Sequence, residues 1–436
     1  MRRGLRIVRP SVGGRDLTHF GGIFLIHRFC RKLRIRTHLR KTVRIDQRVS
    51  RYQPADLIMA IIYALIVGIP RLRKTKILQG NGAFQRIVGL ESYPHASSLR
   101  RFLKRASFES NQDIGRVHDH LRRALFNLPH PRSSLLFDFD SSVLTVYGNS
   151  IEGAKVGYNP HRRGARSYRP LLCFESRTHD FWHGILRPGN IQDRTGTVDF
   201  LRACLAKIPP RLYRIRLRAD AGFYCREFVE ALEVAGIGYV IVAAGSSRMR
   251  RKLGALRYRP FRRDWAAASF RYQPYGWSRP RRFVAIRYRL PDKDTAQECL
   301  FPSRRYGYRV YVTNLPLRAG KVWYFYRGRA NVELNIRELK EHFALGKIPT
   351  NSYMGNQVFF TLLLLAYSII NWFKRLCLPA SYQTATVETI RTDFLVLPAR
   401  LVTTGNRNVL RLPAEYITQQ AINRIVGRIE GLRPAE

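Results

Sequence analysis

The sequence predicts an α/β protein: a helical N-terminal domain, then a mixed sheet interrupted by a β-rich insertion. Three observations carry this. Apolar runs of helical length fill residues 1–127, and strand-like alternation begins only after Pro129 and Pro131. From there to about residue 245, strands come first and then alternate with helices, which is the pattern of a mixed α/β layer. Beyond it, short aromatic and Arg alternations are broken by Pro and Gly up to residue 309. At 436 residues and 45% hydrophobic, the chain can bury a real core and is too apolar for a disordered basic tail.

The elements follow in order. Asp56 can cap the run 57–66, which ends at Gly68 and Pro70. Residues 95–105 form a helix with a basic face, either a helix-turn-helix-like reader of DNA or a solvated amphipathic helix. The stretch 128–245 holds a strand at 135–147, two more at 171–175 and 182–187, and a helix at 197–207. It continues with a strand at 214–219, a helix at 226–235 and a strand at 238–243. The β-rich insertion spans 246–309, with the clearest alternations at 270–272 and 283–290. Residues 310–436 return to the α/β pattern with a strand at 308–314, a helix at 322–343, and a helical C-terminus from 353 that covers the sheet.

Charge narrows the function. With 77 Lys and Arg against 30 Asp and Glu the net charge is +47, and 64 of the 77 cations are Arg. Such a surface needs a polyanion to offset its self-repulsion, and the planar guanidinium fork suits phosphate best. An enzyme of small neutral substrates has no use for it. Nucleic acid is the first expectation and an anionic membrane the second. The membrane reading fails on length: the longest uncharged run, near 356–373, contains Asn356, Gln357, Thr361, Ser368 and Asn371. Its apolar pieces fall short of the ~20 residues a span requires. The first 20 residues carry five Arg and no apolar core, so no signal peptide is expected. Six scattered cysteines without a CxxC point to a reducing compartment, and a cytoplasmic protein is expected.

In a chain so short of acids, carboxylates inside apolar segments call for a reason. Asp138 and Asp140 alternate within the hydrophobic strand and share one face. Two carboxylates there repel and are costly to desolvate unless a cation sits between them; pairing with one of the many Arg is the plain alternative. Asp220 follows the strand 214–219 just before a Gly turn, where open α/β sheets place ligand-binding residues. On the helix at 322–343, Tyr326, Arg329, Glu333 and Lys340 sit at offsets of 0, 3, 7 and 14. At about 100° per residue these fall within an arc of about 60°. Two Asp and a Glu form a hard-oxygen site of the kind Mg²⁺, or Mn²⁺, prefers, and such ions act on phosphodiesters. Arg162, Arg163 and Arg166 lie on a loop leaving the Asp140 strand, suited to tracking a DNA backbone, while Arg248–Lys252 is open between backbone binding and simple exposure.

The spacing Tyr326-x2-Arg329-x3-Glu333-x6-Lys340 resembles the Tyr–Arg–Glu–Lys signature of DDE insertion-sequence transposases. Within that group, Asp138-Phe139-Asp140-Ser141-Ser142, Tyr147-Gly148, Glu152-Gly153-Ala154, Gly157-Tyr158-Asn159-Pro160, Leu186-Arg187-Pro188-Gly189-Asn190 and Arg218-Ala219-Asp220-Ala221-Gly222-Phe223 look like insertion-sequence family 1380. The likeness runs from about residue 20 to 425. Members often have Asp-Ser-Thr where this chain has Asp140-Ser141-Ser142, a departure that spares the carboxylate. The resemblance implies an RNase H-like catalytic domain with its insertion between the second Asp and the Glu. It assigns Asp140, Asp220 and Glu333 as catalytic metal ligands, with Asp138 in reserve for the first. It also implies cutting at terminal inverted repeats, transfer of the 3′-hydroxyl to double-stranded target DNA, and a dimer on the DNA. Tyr326, Arg329 and Lys340 would grip phosphates around the cut end. Trp265 and Trp277 are candidates to stack an extruded base, against the plainer role of core in a small β domain. The alternatives to an active transposase are a catalytically inactive relative that only binds terminal repeats and a structural nucleic-acid protein. The structural protein would explain the charge but not the carboxylates.

Overall fold

The structure, a computed structural model, describes residues 16–45, 51–209, 214–290, 306–405 and 407–435. Cys299, most of the Arg-rich N-terminal stretch and residues 291–305 of the expected insertion lie outside the described residues. The chain opens with helices α1 (Ile23–Lys32), α2 (Ile35–Thr42), α3 (Pro54–Ile66), α4 (Ala96–Lys104) and α5 (Phe108–Leu125). Helix α3 begins at Pro54, whose missing N–H suits a first helical position. Asp56, expected as its cap, instead stands in the first turn, 3.3 Å from Arg36. In α4, Leu99, Phe102 and Leu103 face inward and Arg100, Arg101 and Lys104 face solvent.

A nine-stranded sheet follows. Its strands are β1 (Ser134–Ser141), β2 (Leu171–Glu175), β3 (Phe181–Ile185), β4 (Arg214–Ala219), β5 (Gly238–Val242), β6 (Arg259–Arg262), β7 (Trp265–Tyr272), β8 (Arg281–Arg289) and β9 (Tyr306–Thr313). They lie in the order β6-β7-β8-β9-β5-β4-β1-β2-β3. The pairs β1/β4 and β4/β5 are parallel, and the other six are antiparallel. In β1, Leu135, Phe137 and Phe139 point to the face covered by α6 (Thr197–Leu205) and α7 (Arg226–Val234), so period 2 sends Asp138 and Asp140 to the other face.

Three expected boundaries move. The strand expected at 135–147 stops at Ser141: Ser142 N donates to Pro170 O, and Leu144–Thr145 joins a separate three-stranded sheet with Lys155–Val156 and Arg166–Tyr168. The region expected as a β-rich insertion opens with a helix, α8 (Ser247–Gly254), capped by Ser246. Its strands β7 and β8 continue the central sheet through β9, whose backbone pairs with β5. Trp265 is partly buried and packs beside Tyr288 and Trp323, and Trp277 is buried beside Tyr224 and Arg281; both pack against core clusters.

The third change is the helix expected at 322–343, which is two helices, α9 (Ala319–Arg327) and α10 (Ala330–His342). The cause is a capture from outside. Arg218 Nη1 takes Phe325 O at 2.7 Å, the carbonyl that a continuous helix would give to Arg329 N. Arg329 N turns instead to Tyr326 O at 2.8 Å, tightening the turn. Gly328 stands where Arg218 passes, since a Cβ there would lie 2.4 Å from its Nη1.

Helix α11 (Tyr353–Cys377) is 25 residues long, and by length and composition it could cross a membrane. It is buried at the centre of the helical body: α1, α3, α5 and α11 share one apolar core with the β2–β3 end of the sheet. Gln419–Glu430, α12, closes that core from the C-terminal side through Ile425 and Ile429.

Candidate active site

Two parallel strands bring the first two carboxylates together. Asp140 stands near the C-terminal end of β1 and Asp220 one residue beyond β4, and the pairing of Asp138 with Arg218 fixes their register. Asp220 also caps a short turn, its Oδ1 accepting from Gly222 N at 2.9 Å. Glu333 comes from the first turn of α10, on the same side of the sheet as Asp140.

A single guanidinium meets all three. Arg329 Nη2 lies 2.9 Å from Asp140 Oδ1 and 3.7 Å from Asp220 Oδ2, while Nη1 is 3.4 Å from Glu333 Oε1. Nη2 also donates to Phe139 O at 3.2 Å, and buried Nε has no partner. Arg329 is sunk, with its side chain 6% exposed, while the carboxylates open progressively outward: 12% for Asp140, 38% for Asp220 and 68% for Glu333. The cluster is thus open on the Glu333 side.

The electrostatics follow from this layering. Burial pushes the Asp140 carboxyl up to about 7, opposed by Arg329 and assisted by Asp220 and Glu333. Burial also raises Asp220, against Arg329 and the Gly222 N–H. For Arg329, burial works against the charge, but Asp140, Tyr326 and Asp220 outweigh it and hold the proton more firmly than usual. Burial raises the Tyr326 phenol, which packs 4.8 Å from the Tyr311 ring and feels both Asp220 and Asp140. Burial lowers Lys340, with Asp140 pulling the other way.

Asp138 has a different partner. Arg218 grips it with a two-pronged contact, Nε to Oδ1 at 2.6 Å and Nη2 to Oδ2 at 2.7 Å, with both side chains deeply buried and Ser176 Oγ also in contact. Arg218 therefore ties β1, β4 and the end of α9 together. A second, half-buried fork, missed from sequence, runs from Arg169 to Asp193, with both bonds at 2.6 Å. Arg187 sits 3.7 Å from the same carboxylate and donates to Thr195 O and Arg169 O. Asp193 borders the site, because a Cβ on Gly222 would lie 2.7 Å from it. Its one signal in sequence was being an acid just beyond the Arg187–Asn190 motif.

The basic loop is held from below. Asn159 Oδ1 accepts from the backbone of His161 and Arg162, and its Nδ2 donates to Thr145 Oγ1. Arg162 and Arg163 are exposed, Arg162 near the ring of exposed Tyr147, while Arg166 is half-buried and donates to Asn149 O. Gly157 and Gly189 let two backbones touch: a Cβ on Gly157 would sit 2.1 Å from Gly189 O. In α8, Arg248, Arg250, Arg251 and Lys252 are exposed around buried Met249 and Leu253.

Among the described residues, no three His, Cys, Asp or Glu side chains are set to hold a metal ion as they stand. The donor set nevertheless suits a hard cation: three carboxylates from β1, β4 and α10 already converge on one positive charge. The cation at their centre here is the chain's own.

The chain is similar to known proteins. The model of the family described as transposase DDE domain group 1 matches residues 3–434. No curated protein matches the chain. Among solved structures it is similar to one titled a cryo-EM structure of the piggyBac transposase synaptic complex with hairpin DNA. The identity is 10% and the TM-score 0.43, over 88% of this chain and 83% of that one. With a family model spanning all but the chain's outermost residues, this protein belongs to the DDE-domain transposases of group 1.

Proposed function

We propose that this transposase cuts phosphodiesters at the terminal inverted repeats of an insertion sequence akin to family 1380 and joins the freed 3′-hydroxyls to target DNA. The observation that carries the reading is the convergence of Asp140, Asp220 and Glu333 on one cation at the carboxyl edge of two parallel strands. The strand run β3-β2-β1-β4-β5, antiparallel up to β1 and parallel beyond it, supports an RNase H-like catalytic fold.

Asp140, Asp220 and Glu333 would hold divalent ions, Mg²⁺ or Mn²⁺, which when bound activate a water or 3′-hydroxyl and stabilise the leaving oxygen. The chain's own residues do the rest. Arg218 fixes Asp138 and the α9 terminus, and so sets where Tyr326 and Arg329 stand. Tyr326 and Lys340, on either side of Arg329 in sequence and both within the field of Asp140, would clasp the phosphates next to the cut. Arg162 and Arg163, exposed on the loop beyond β1, extend that grip along the backbone, with Arg166 at the loop's base. Joining two ends in concert makes two copies on two DNA ends the working unit, and the nucleoid its place of work.

The test is strand joining. Pre-cut terminal-repeat DNA with a free 3′-hydroxyl is offered with a target plasmid to the wild type and to Asp140→Asn, Asp220→Asn and Glu333→Gln. Joining by the wild type alone, with DNA binding kept by all three variants, supports the reading. Joining that survives any of the three removes that residue from the site.

A further inference from the structure

Nothing about a metal-binding cluster requires that a guanidinium occupy its middle, yet Arg329 reaches all three carboxylates at once. Oxygens of Asp140 and Asp220 both lie close to Nη2, at 2.9 and 3.7 Å. A divalent ion taking those same oxygens at about 2.0–2.1 Å would need the space that Nη2 fills. Two cations cannot share it, so guanidinium and metal exclude one another at those oxygens.

Apart from the 2.9 Å contact with Asp140, the holds on Arg329 are long or absent. Buried Nε makes no hydrogen bond, the Glu333 contact is long at 3.4 Å, and the bond to Phe139 O is 3.2 Å. The residue sits at the junction of α9 and α10, and the cluster opens to solvent along the Glu333 side. A DNA phosphate offers the fork two charge-assisted bonds, which it cannot make to any one carboxylate here.

We propose that Arg329 is the resident cation of the carboxylate cluster in the DNA-free protein, and that it yields Asp140, Asp220 and Glu333 to divalent metal when a DNA phosphate takes its guanidinium. The inference rests on the reading of these three carboxylates as the metal-binding set. It makes metal loading contingent on substrate: without DNA the metal's place is taken from within, so stray cutting is suppressed. Because coupling is reciprocal, metal in turn tightens the hold on DNA.

The test is Mn²⁺ binding to the full-length protein, followed by electron paramagnetic resonance of the free ion, with no turnover involved. A metal-competent state populated at ten per cent or less weakens apparent affinity about tenfold or more. Without DNA, Arg329→Gln is therefore expected to bind Mn²⁺ at least about tenfold more tightly than the wild type. Adding a terminal-repeat duplex should raise the wild-type affinity by a larger factor than it raises that of the variant. Lys340→Gln controls for simple loss of nearby charge, since Lys340 feels Asp140 without pairing with it. An equal rise in Lys340→Gln, or no rise in Arg329→Gln, overturns the proposal. Thermal melts establish that each variant folds. Should Arg329→Gln fail to fold, Arg329→Lys takes its place: its compact ammonium cannot reach three carboxylates, and an affinity no higher than wild type overturns the proposal. Asp140→Asn separates the two levels. Undiminished Mn²⁺ binding in that variant would defeat the site reading, whereas lost binding alongside an unchanged Arg329→Gln would defeat only the exchange.

Discussion

Replacing Arg218 by Met severs the link that holds the site together, and the structure sets the size of the effect. The guanidinium makes two bonds to Asp138, at 2.6 and 2.7 Å, and a third to Phe325 O at 2.7 Å. Asp138 is 1% exposed, so the single substitution leaves a carboxylate buried without a partner. Breaking a buried pair from one side costs about 3–5 kcal/mol, and the orphaned carbonyl adds about 1–3 kcal/mol. Removing both charges is a different matter, because an apolar pair of similar volume is often neutral. Asp138→Leu with Arg218→Met should therefore recover most of the loss, except for the share due to Phe325 O. The assay is the urea midpoint of wild type, both singles and the double, read by two probes because a chain of this size can unfold in steps. A loss under about 1 kcal/mol in Arg218→Met, or a double as unstable as the single, would refute the idea that this fork carries the β1–β4–α9 junction.

Other consequences are smaller but as specific. His118 is buried, stacked 5.4 Å from Phe181 and 2.9 Å from Ser368 Oγ, and burial lowers it to about 3. The unfolded chain takes up that proton below about 6.5 and the native one only near 3. Stability is thus fully present above pH 6.5 and falls by about 1.4 kcal/mol per unit as pH drops toward 3. His118→Gln should flatten that part of the acid-unfolding curve, and an unchanged curve would mean the ring is not buried neutral. Gly157→Ala forces a Cβ against Gly189 O and should lower the melting temperature by an amount matching about 1–3 kcal/mol of overpacking, with no loss meaning the two backbones do not touch. Arg162→Gln and Arg163→Gln should each reduce the slope of log affinity against log salt by about 0.9 for duplex DNA, and unchanged slopes would remove the loop from the interface.

Much of this arrangement was legible in sequence because it depends on local pattern. Period 2 in β1 put Asp138 and Asp140 on one face, and the Gly turn after β4 marked Asp220 as a strand-end carboxylate. What pattern could not do was choose between Asp138 and Asp140. What distinguishes them in the structure is Arg218, 80 residues from Asp138, which pairs with it across the β1–β4 register. The same side chain explains the broken helix. Residues 319–342 have helical spacing throughout, and only a distant donor taking Phe325 O interrupts it. The helical arc drawn through Tyr326, Arg329, Glu333 and Lys340 was therefore wrong in its construction, although α9 and α10 still bring all four into the field of Asp140. The insertion read as a separate β unit for a related reason: pairing of β9 with β5, in the middle of the sheet, is non-local and leaves no mark in composition. Helix α8 hid behind its charge, with Met249 and Leu253 its only buried residues.

The most direct test of the account uses DNA spanning the element's own boundaries, incubated with purified protein with and without Mg²⁺, beside Glu333→Gln. Metal-dependent nicking at one defined nucleotide, lost in Glu333→Gln while binding to the boundary persists, is the predicted result. Tight boundary binding without cleavage by the wild type in either Mg²⁺ or Mn²⁺ would contradict it and leave a protein that holds the ends of its element but does not cut them.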